Sequence, residues 1–125
     1  MKLNLEPMTR EGHSVVPRLE ERKLFLKLSG TFDMTSALAL QLYLEKVQSE
    51  VRKQQLLELV VDVTEVYYLG SSCIKAFVTL TVGLQHGSAG MLMRVLTNPR
   101  LDWQERAFSV LARIAPERVL VEQTV

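Results

Sequence analysis

The residues best placed to do chemistry in this chain are Leu69-Gly70-Ser71-Ser72-Cys73. Two adjacent hydroxyls and a thiol follow a glycine that permits a sharp turn. A hydroxyl in such a place can cap a helix, attack an electrophile or hold a ligand. Attack needs more than the hydroxyl. A nucleophile elbow has the pattern Gly-x-Ser-x-Gly and a histidine base. Gly70-Ser71-Ser72-Cys73-Ile74 lacks the second glycine, and only His13 and His86 could serve as base. A phosphate loop ends in Gly-Lys-Ser/Thr, and Lys75 is not so placed. A cysteine phosphatase wants an arginine at the end of its loop, where Cys73-Ile74-Lys75-Ala76-Phe77-Val78-Thr79 supplies threonine. For Cys73 two readings stand side by side. A helix start could lower its pKa and make a reactive thiol, or it is a buried, inert small residue. One cysteine excludes an internal disulfide framework and a Cys-based zinc cluster. Two histidines leave little material for a His-rich metal centre. No metal and no cofactor is expected.

The elements that position this stretch follow from periodicity. Residues 59–63, Leu-Val-Val-Asp-Val, are rich in β-branched side chains and apolar on both parities, which predicts a central strand covered on both faces. Residues 64–69 read as a connection to Gly70, and a helix is expected from Ser71 to about residue 85 with Ile74, Phe77, Val78 and Thr81 inward. Ligand sites of open α/β sheets gather beyond the carboxyl ends of such strands. Upstream, Lys23-Leu24-Phe25-Leu26-Lys27-Leu28 alternates and stops at Ser29-Gly30, as a strand with one wet face would. Lys2-Leu3-Asn4-Leu5 predicts a short first strand, and residues 15–21, interrupted by Pro17, read as a connection. Asp33 and Thr35 are both candidate caps for a helix from Ser36 to about Lys53, whose inner stripe is Leu40, Leu44, Val47 and Val51. Gly87-Ser88-Ala89-Gly90 reads as a turn and residues 91–96 as a strand. Asn98-Pro99 opens a last helix with Trp103, Ala107, Val110, Leu111 and Ile114 on one face, which Pro116 ends, and residues 119–121 form a last strand. Strands alternating with helices imply βαβ crossovers, hence an α/β fold with a single mixed, mostly parallel sheet.

Composition narrows the function further. Within 125 residues, 15 Lys and Arg balance 14 Asp and Glu, which argues against a nucleic-acid or anionic-membrane binder, because those carry a basic excess. No stretch approaches the roughly 20 apolar residues of a membrane span, and the start lacks the apolar block of a secretory signal. A cytoplasmic protein of one domain, residues 1–125, is the expectation. The arginines at 100, 106, 113 and 118 interleave with Asp102, Glu105 and Glu117 and read as a solvated face. Trp103, Phe108, Met91 and Met93 read as packing.

Residues 24–30 followed by Thr31-Phe32-Asp33, the strand at 59–63, and Tyr68-Leu69-Gly70-Ser71-Ser72-Cys73-Ile74 together resemble the STAS domain, the sulphate transporter and anti-sigma factor antagonist family. Element order matches over nearly the whole chain. The resemblance implies a non-enzymatic protein-interaction regulator of the anti-sigma factor antagonist type, acting in bacterial partner switching. The second serine of the family's Asp-Ser-Ser/Thr-Gly motif accepts phosphate. By position that serine is Ser72, with Ser71 the alternative. Asp33 takes the place of the acid that ends the family's Gly-x-Leu/Phe-Asp turn, near the partner-binding surface. The implied surface is Asp33, Gly70, Ser71, Ser72 and Cys73, and the implied partner is an anti-sigma factor or a serine-kinase-like signalling protein. Two positions depart from the motif: its leading Asp is Gly70 here and its trailing Gly is Cys73. These departures favour an alternative, a degenerate STAS scaffold that binds its partner, or a second copy as a homodimer, without phosphorylation. A partner subunit of a transport ATPase, and a small hydrolase or redox enzyme using Cys73 or Ser72, are the remaining alternatives.

Overall fold

The computed structural model describes residues 2–87 and 91–124. In chain order these form β1 (Met8–Arg10), β2 (His13–Glu20), β3 (Lys23–Phe32), one 3₁₀ turn (Met34–Ser36), α1 (Ala37–Lys53), β4 (Glu58–Leu69), α2 (Ser71–Gly87), β5 (Leu92–Thr97), α3 (Trp103–Ile114) and β6 (Val119–Gln123). The six strands lie in sequence order, β1–β2–β3 antiparallel and β3 to β6 parallel. This is the α/β architecture expected, a mixed and mostly parallel sheet with interleaved helices. Crossovers between parallel neighbours are almost always right-handed, so strands in sequence order place successive helices on one face, and here α1 packs on α2 and α2 on α3. Leu24, Leu26, Leu28 and Phe32 of β3 and Leu59, Val61 and Val63 of β4 alternate inward beneath Leu40, Leu44, Phe77 and Phe108. The part of the expected turn at residues 88–90 lies outside the described residues.

Three expectations are corrected. The first strand is not at residues 2–5, which run without regular structure, and residues 15–21 are not a connection. A hairpin, β1 and β2, occupies that region, turning at Gly12 with φ +89°. Pro17 is tolerated inside β2 because β1 pairs only with residues 13–15, so at Pro17 no neighbouring strand asks for its missing N–H. Next, β4 does not stop at residue 63 but runs on to Leu69. Lastly, β4 is covered by helices on one face only. Its other face lies under charged side chains: Glu58 is held between Lys23 and Arg94, Arg94 reaches Glu122, and Lys27 bridges Asp62 and Glu65. These long stems, with Phe25, leave Val60 only 3% exposed, so a buried valine on the outward parity does not require a second helix layer.

The ends of β3 and β4 carry the candidate site, and two features shape them. Gly30 has φ +95°, and a Cβ there would sit 2.1 Å from the Gly12 carbonyl oxygen. Only glycine lets the hairpin turn close onto β3, where Thr31 N–H donates to that same oxygen at 2.9 Å. In β4 the register against β3 slips twice, after Asp62 and at Tyr67, each time with an extra β4 residue. Asp62 Oδ1 accepts from the Thr64 N–H and hydroxyl at the first bulge. Such bulges bend a strand and re-aim its side chains.

Candidate functional site

β3 and β4 end side by side, Phe32 opposite Leu69. Gly70 N–H donates to the Phe32 carbonyl at 2.8 Å, and the Gly70 carbonyl accepts from the amides of Cys73 and Ile74 at 3.0 and 3.1 Å. Gly70 therefore holds the cap position of α2, and the capping role considered for either serine is not taken. Ser71 and Ser72 are the first and second helical residues, Ser71 exposed and Ser72 half-buried. Neither hydroxyl is hydrogen-bonded to another described residue. The Ser71 and Ser72 amides have no backbone acceptor, so both hydroxyls stand beside unpaired N–H groups at the positive end of the helix. The turn presents free hydroxyls at the carboxyl edge of a parallel sheet.

Asp33 stands across the turn. Its Oδ1 accepts from Thr35 N–H at 2.9 Å, the Thr35 hydroxyl at 2.5 Å and the Ser36 hydroxyl at 3.3 Å. Asp33 is thus the cap, of the 3₁₀ turn, and Thr35 is its donor rather than a second cap. The Thr35 hydroxyl foremost holds the Asp33 carboxyl below its ordinary pKa, so it stays ionised at the surface. Cys73 is fully buried beneath it, its Sγ 3.7 Å from the Phe32 carbonyl and 3.5 Å from that of Asp33. Burial first, then the Asp33 charge, push the thiol pKa up, and the Gly70 hydrogen bond only partly opposes them. The reactive-thiol reading fails on this geometry: what would stabilise a thiolate is outweighed by desolvation and a nearby carboxylate.

The five residues expected on the surface lie together, Asp33 through its carbonyl on the Cys73 thiol and Gly70 through Cys73 as one turn, but only Asp33, Ser71 and part of Ser72 are exposed; Gly70 and Cys73 are buried and shape the turn from beneath. Neither histidine is hydrogen-bonded to Ser71 or Ser72: His13 packs on Phe32 with ring centroids 4.8 Å apart, and His86 lies at the far end of α2. Among the described residues no three His, Cys, Asp or Glu side chains could hold a metal, and no helix is long and apolar enough to cross a membrane.

Sequence reasoning missed two contributions to the site. Gln104 of α3 is completely buried, and its amide donates to the carbonyls of Val63 and Val66 at 2.7 Å each while its Oε1 accepts from Asn98 N–H at 2.8 Å. β5 pairs only with residues 58–62, so Gln104 replaces the missing neighbour along the bulged end of β4. The signal was present: Gln104, Phe108 and Leu111 fall at i, i+4 and i+7, one buried stripe, whereas the expected Ile114 is exposed and Trp103, Ala107 and Val110 lie half-buried beside it. The second is Met34, which adds to the exposed side chains of the two tyrosines directly before the turn. Met34 is 78% exposed, Tyr67 65% and Tyr68 55%, the two tyrosines both outward because the bulge breaks strand alternation.

These features define a class: the fold is that of the anti-sigma factor antagonists, the SpoIIAA-like or STAS fold. An anti-sigma factor antagonist from Mycobacterium paratuberculosis superposes with TM-score 0.65 at 18% identity, over 90% of this chain and 88% of that one. The Bacillus cell-fate determinant SpoIIAA in its phosphorylated form gives TM-score 0.60 at 10% identity, over 89% of this chain and 91% of that one. An uncharacterised DUF3478 protein from Shewanella loihica with a SpoIIAA-like fold gives 0.54 at 18% identity, over 89% and 86%. No family sequence model and no curated protein matches the chain. The likeness is one of fold.

Proposed function

We propose that this chain, as one cytoplasmic domain, is a non-enzymatic protein-interaction regulator that works as an anti-sigma factor antagonist. Its partner would be an anti-sigma factor or a related serine-kinase-like signalling protein. The partner surface comprises Asp33, Ser71, Ser72 and the exposed side of α2, with the buried Gly70 and Cys73 setting the shape of the turn beneath it. The observation that carries this reading is the pair of unengaged hydroxyls at the first turn of α2, beside an ionised Asp33. Ser72 is the favoured phospho-acceptor and Ser71 the alternative. A phosphate adds about −1.5 to −2 charges at such a surface, and a partner fitted to a neutral hydroxyl is repelled. The helix N-terminus accommodates the same charge within the domain. Binding is then lost while the fold persists.

The test is to purify the serine-kinase-type anti-sigma proteins of the source organism, incubate each with this protein and ATP, and record intact mass. One added phosphate, lost in Ser72→Ala, supports switching. Pull-down of the same proteins by Ser72→Asp and wild type tests the consequence. Equal capture by both refutes the switch. A second reading, a scaffold that binds without phosphorylation, draws support from Gly70, which leaves no carboxylate at the motif's leading position. It predicts stable capture with no mass change.

A further inference from the structure

We propose that the groove between the free sheet edge at β1 and the outer face of α1 is a separate docking site, which takes an extended, apolar segment of a partner protein flanked by acidic residues. The groove encloses 540 Å³, within the size range of ligand sites. One wall is the continuous run of residues 4–10, and the other is Ala39, Leu42, Tyr43 and Lys46, spaced i, i+3, i+4 and i+7 on one helix face. β1 is the end strand of the sheet, so the outward N–H and C=O groups of Met8–Arg10 meet no other strand. An extended peptide can pair with such an edge while its side chains drop into the space beside it. Leu42, half exposed, is the apolar contact the groove offers.

The walls are held in place. The Tyr43 hydroxyl donates to the Glu6 carbonyl at 2.8 Å, Asn4 N–H donates to Glu50 at 2.9 Å, and the Gln54 amide donates to the Lys2 carbonyl at 2.8 Å. Burial lifts the Tyr43 pKa to about 12, so it remains a donor. Charge selects the occupant. β1 runs parallel to β3 and α1 returns the opposite way, so Arg10 lies at the Ala39 end of the groove and Lys46 at the other. Ala39 and Lys46 are about 10 Å apart along the helix, which an extended chain spans in about three residues. Among the described residues neither cation has an ion-pair partner, and the one lining carboxylate is Glu6. Two acidic side chains about four residues apart, with apolar residues between, complement this surface. Pro7 directly before β1 limits the usable edge to a short segment.

The probe is an acetylated, amidated Glu-Val-Ile-Val-Glu peptide titrated into the full chain and followed by amide chemical shifts. Shifts are expected along residues 4–10 and 39–46. Lys46→Glu should weaken binding roughly fivefold, the effect of about one surface ion pair. Leu42→Ser should weaken it too, and a Lys-Val-Ile-Val-Lys peptide should not bind. Absence of shifts in the groove, equal binding of the basic peptide, or indifference to Lys46→Glu overturns the proposal. Concentration-dependent shifts at the same amides without peptide would assign the groove to a second copy and also overturn it. None of these outcomes touches the serine turn, so the two readings fail independently.

Discussion

Replacing Gln104 with leucine isolates what supports the serine turn. The substitution nearly conserves volume but removes one amide that satisfies three backbone groups, the carbonyls of Val63 and Val66 and the Asn98 N–H. An unsatisfied buried polar group costs about 1–3 kcal/mol. Asn98 is only half-buried, so water can reach its amide, and the two carbonyls dominate. The expected loss is about 3 kcal/mol, roughly 10 °C in Tm for a chain of this length. Urea unfolding should show a lower midpoint at an unchanged slope. Hydrogen exchange should accelerate along residues 63–73, because the strand end that carries Gly70 loses its outer partner. Gln41→Leu, on the exposed face of α1, is the control and should be near neutral. Gln104→Glu sharpens the test. A carboxylate facing two carbonyls has its folded-state pKa raised above the unfolded value, so its contribution is full below the unfolded pKa and fades as pH rises through the folded pKa. The variant should therefore be more stable relative to wild type near pH 4 than at pH 7. A loss below about 1 kcal/mol for Gln104→Leu, with exchange unchanged, would refute the supporting role.

Three further outcomes are expected. Gly30→Ala puts a Cβ 2.1 Å from the Gly12 carbonyl oxygen at φ +95° and should cost about 3–5 kcal/mol by denaturation, combining backbone strain and overpacking. Gly70→Asp, which restores the acid of the family motif, should be tolerated within about 1 kcal/mol, because Asp also suits a cap position. Its Cβ meets Phe32, Asp33 and Met34 backbone atoms only at 3.6–3.8 Å, and a loss above about 2 kcal/mol would contradict this geometry. Asp33→Asn should lower the thermal midpoint at neutral pH. The wild-type carboxyl has a depressed folded pKa, so its contribution is present above the unfolded pKa and lost as pH falls through the folded one. The gap between the two melting curves should close in acid, and a gap independent of pH would refute the Asp33 cap.

Much of this architecture was legible because buried periodicity was unambiguous. Leu40, Leu44, Val47 and Val51 are all buried on α1, and Leu24, Leu26 and Leu28 alternate inward on β3. The serine turn was legible from a glycine before two hydroxyls, and it falls where the strand ends. The hairpin was hidden by Pro17, whose cost depends on how far the neighbouring strand extends, a fact of tertiary structure. Residues 64–69 read as a connection because two bulges break the period, so Val66 and Leu69 are buried three apart instead of two. The single-sided covering of β4 was illegible for another reason. Val60 is shielded by charged stems from other strands, Arg94 and Lys23 among them, and hydrophobic pattern carries no record of that.

Of the two departures from the STAS motif, Cys73 adds a contact that a glycine there could not make, beside a backbone bond that any residue but proline at position 70 would keep. Gly70 gives its N–H to the Phe32 carbonyl, and the Cys73 thiol approaches the same oxygen from the first turn of α2 while also reaching the Asp33 carbonyl. The end of β3 is thereby tied to both ends of the Gly-Ser-Ser-Cys turn, and Asp33 cannot move independently of the serines. A buried thiol fills the space beneath the turn that a glycine would leave open, which stiffens the platform without adding charge. On such a platform a phosphate on Ser72 would change the face presented to a partner by charge rather than by shape. The free first-turn amides would stabilise it within the domain, and the adjoining Asp33 carboxylate would deepen the negative potential outward. A partner that tolerates Asp33 alone then meets a surface about two charges more negative on an unchanged backbone, so its release should be salt-sensitive while the domain's own stability is not.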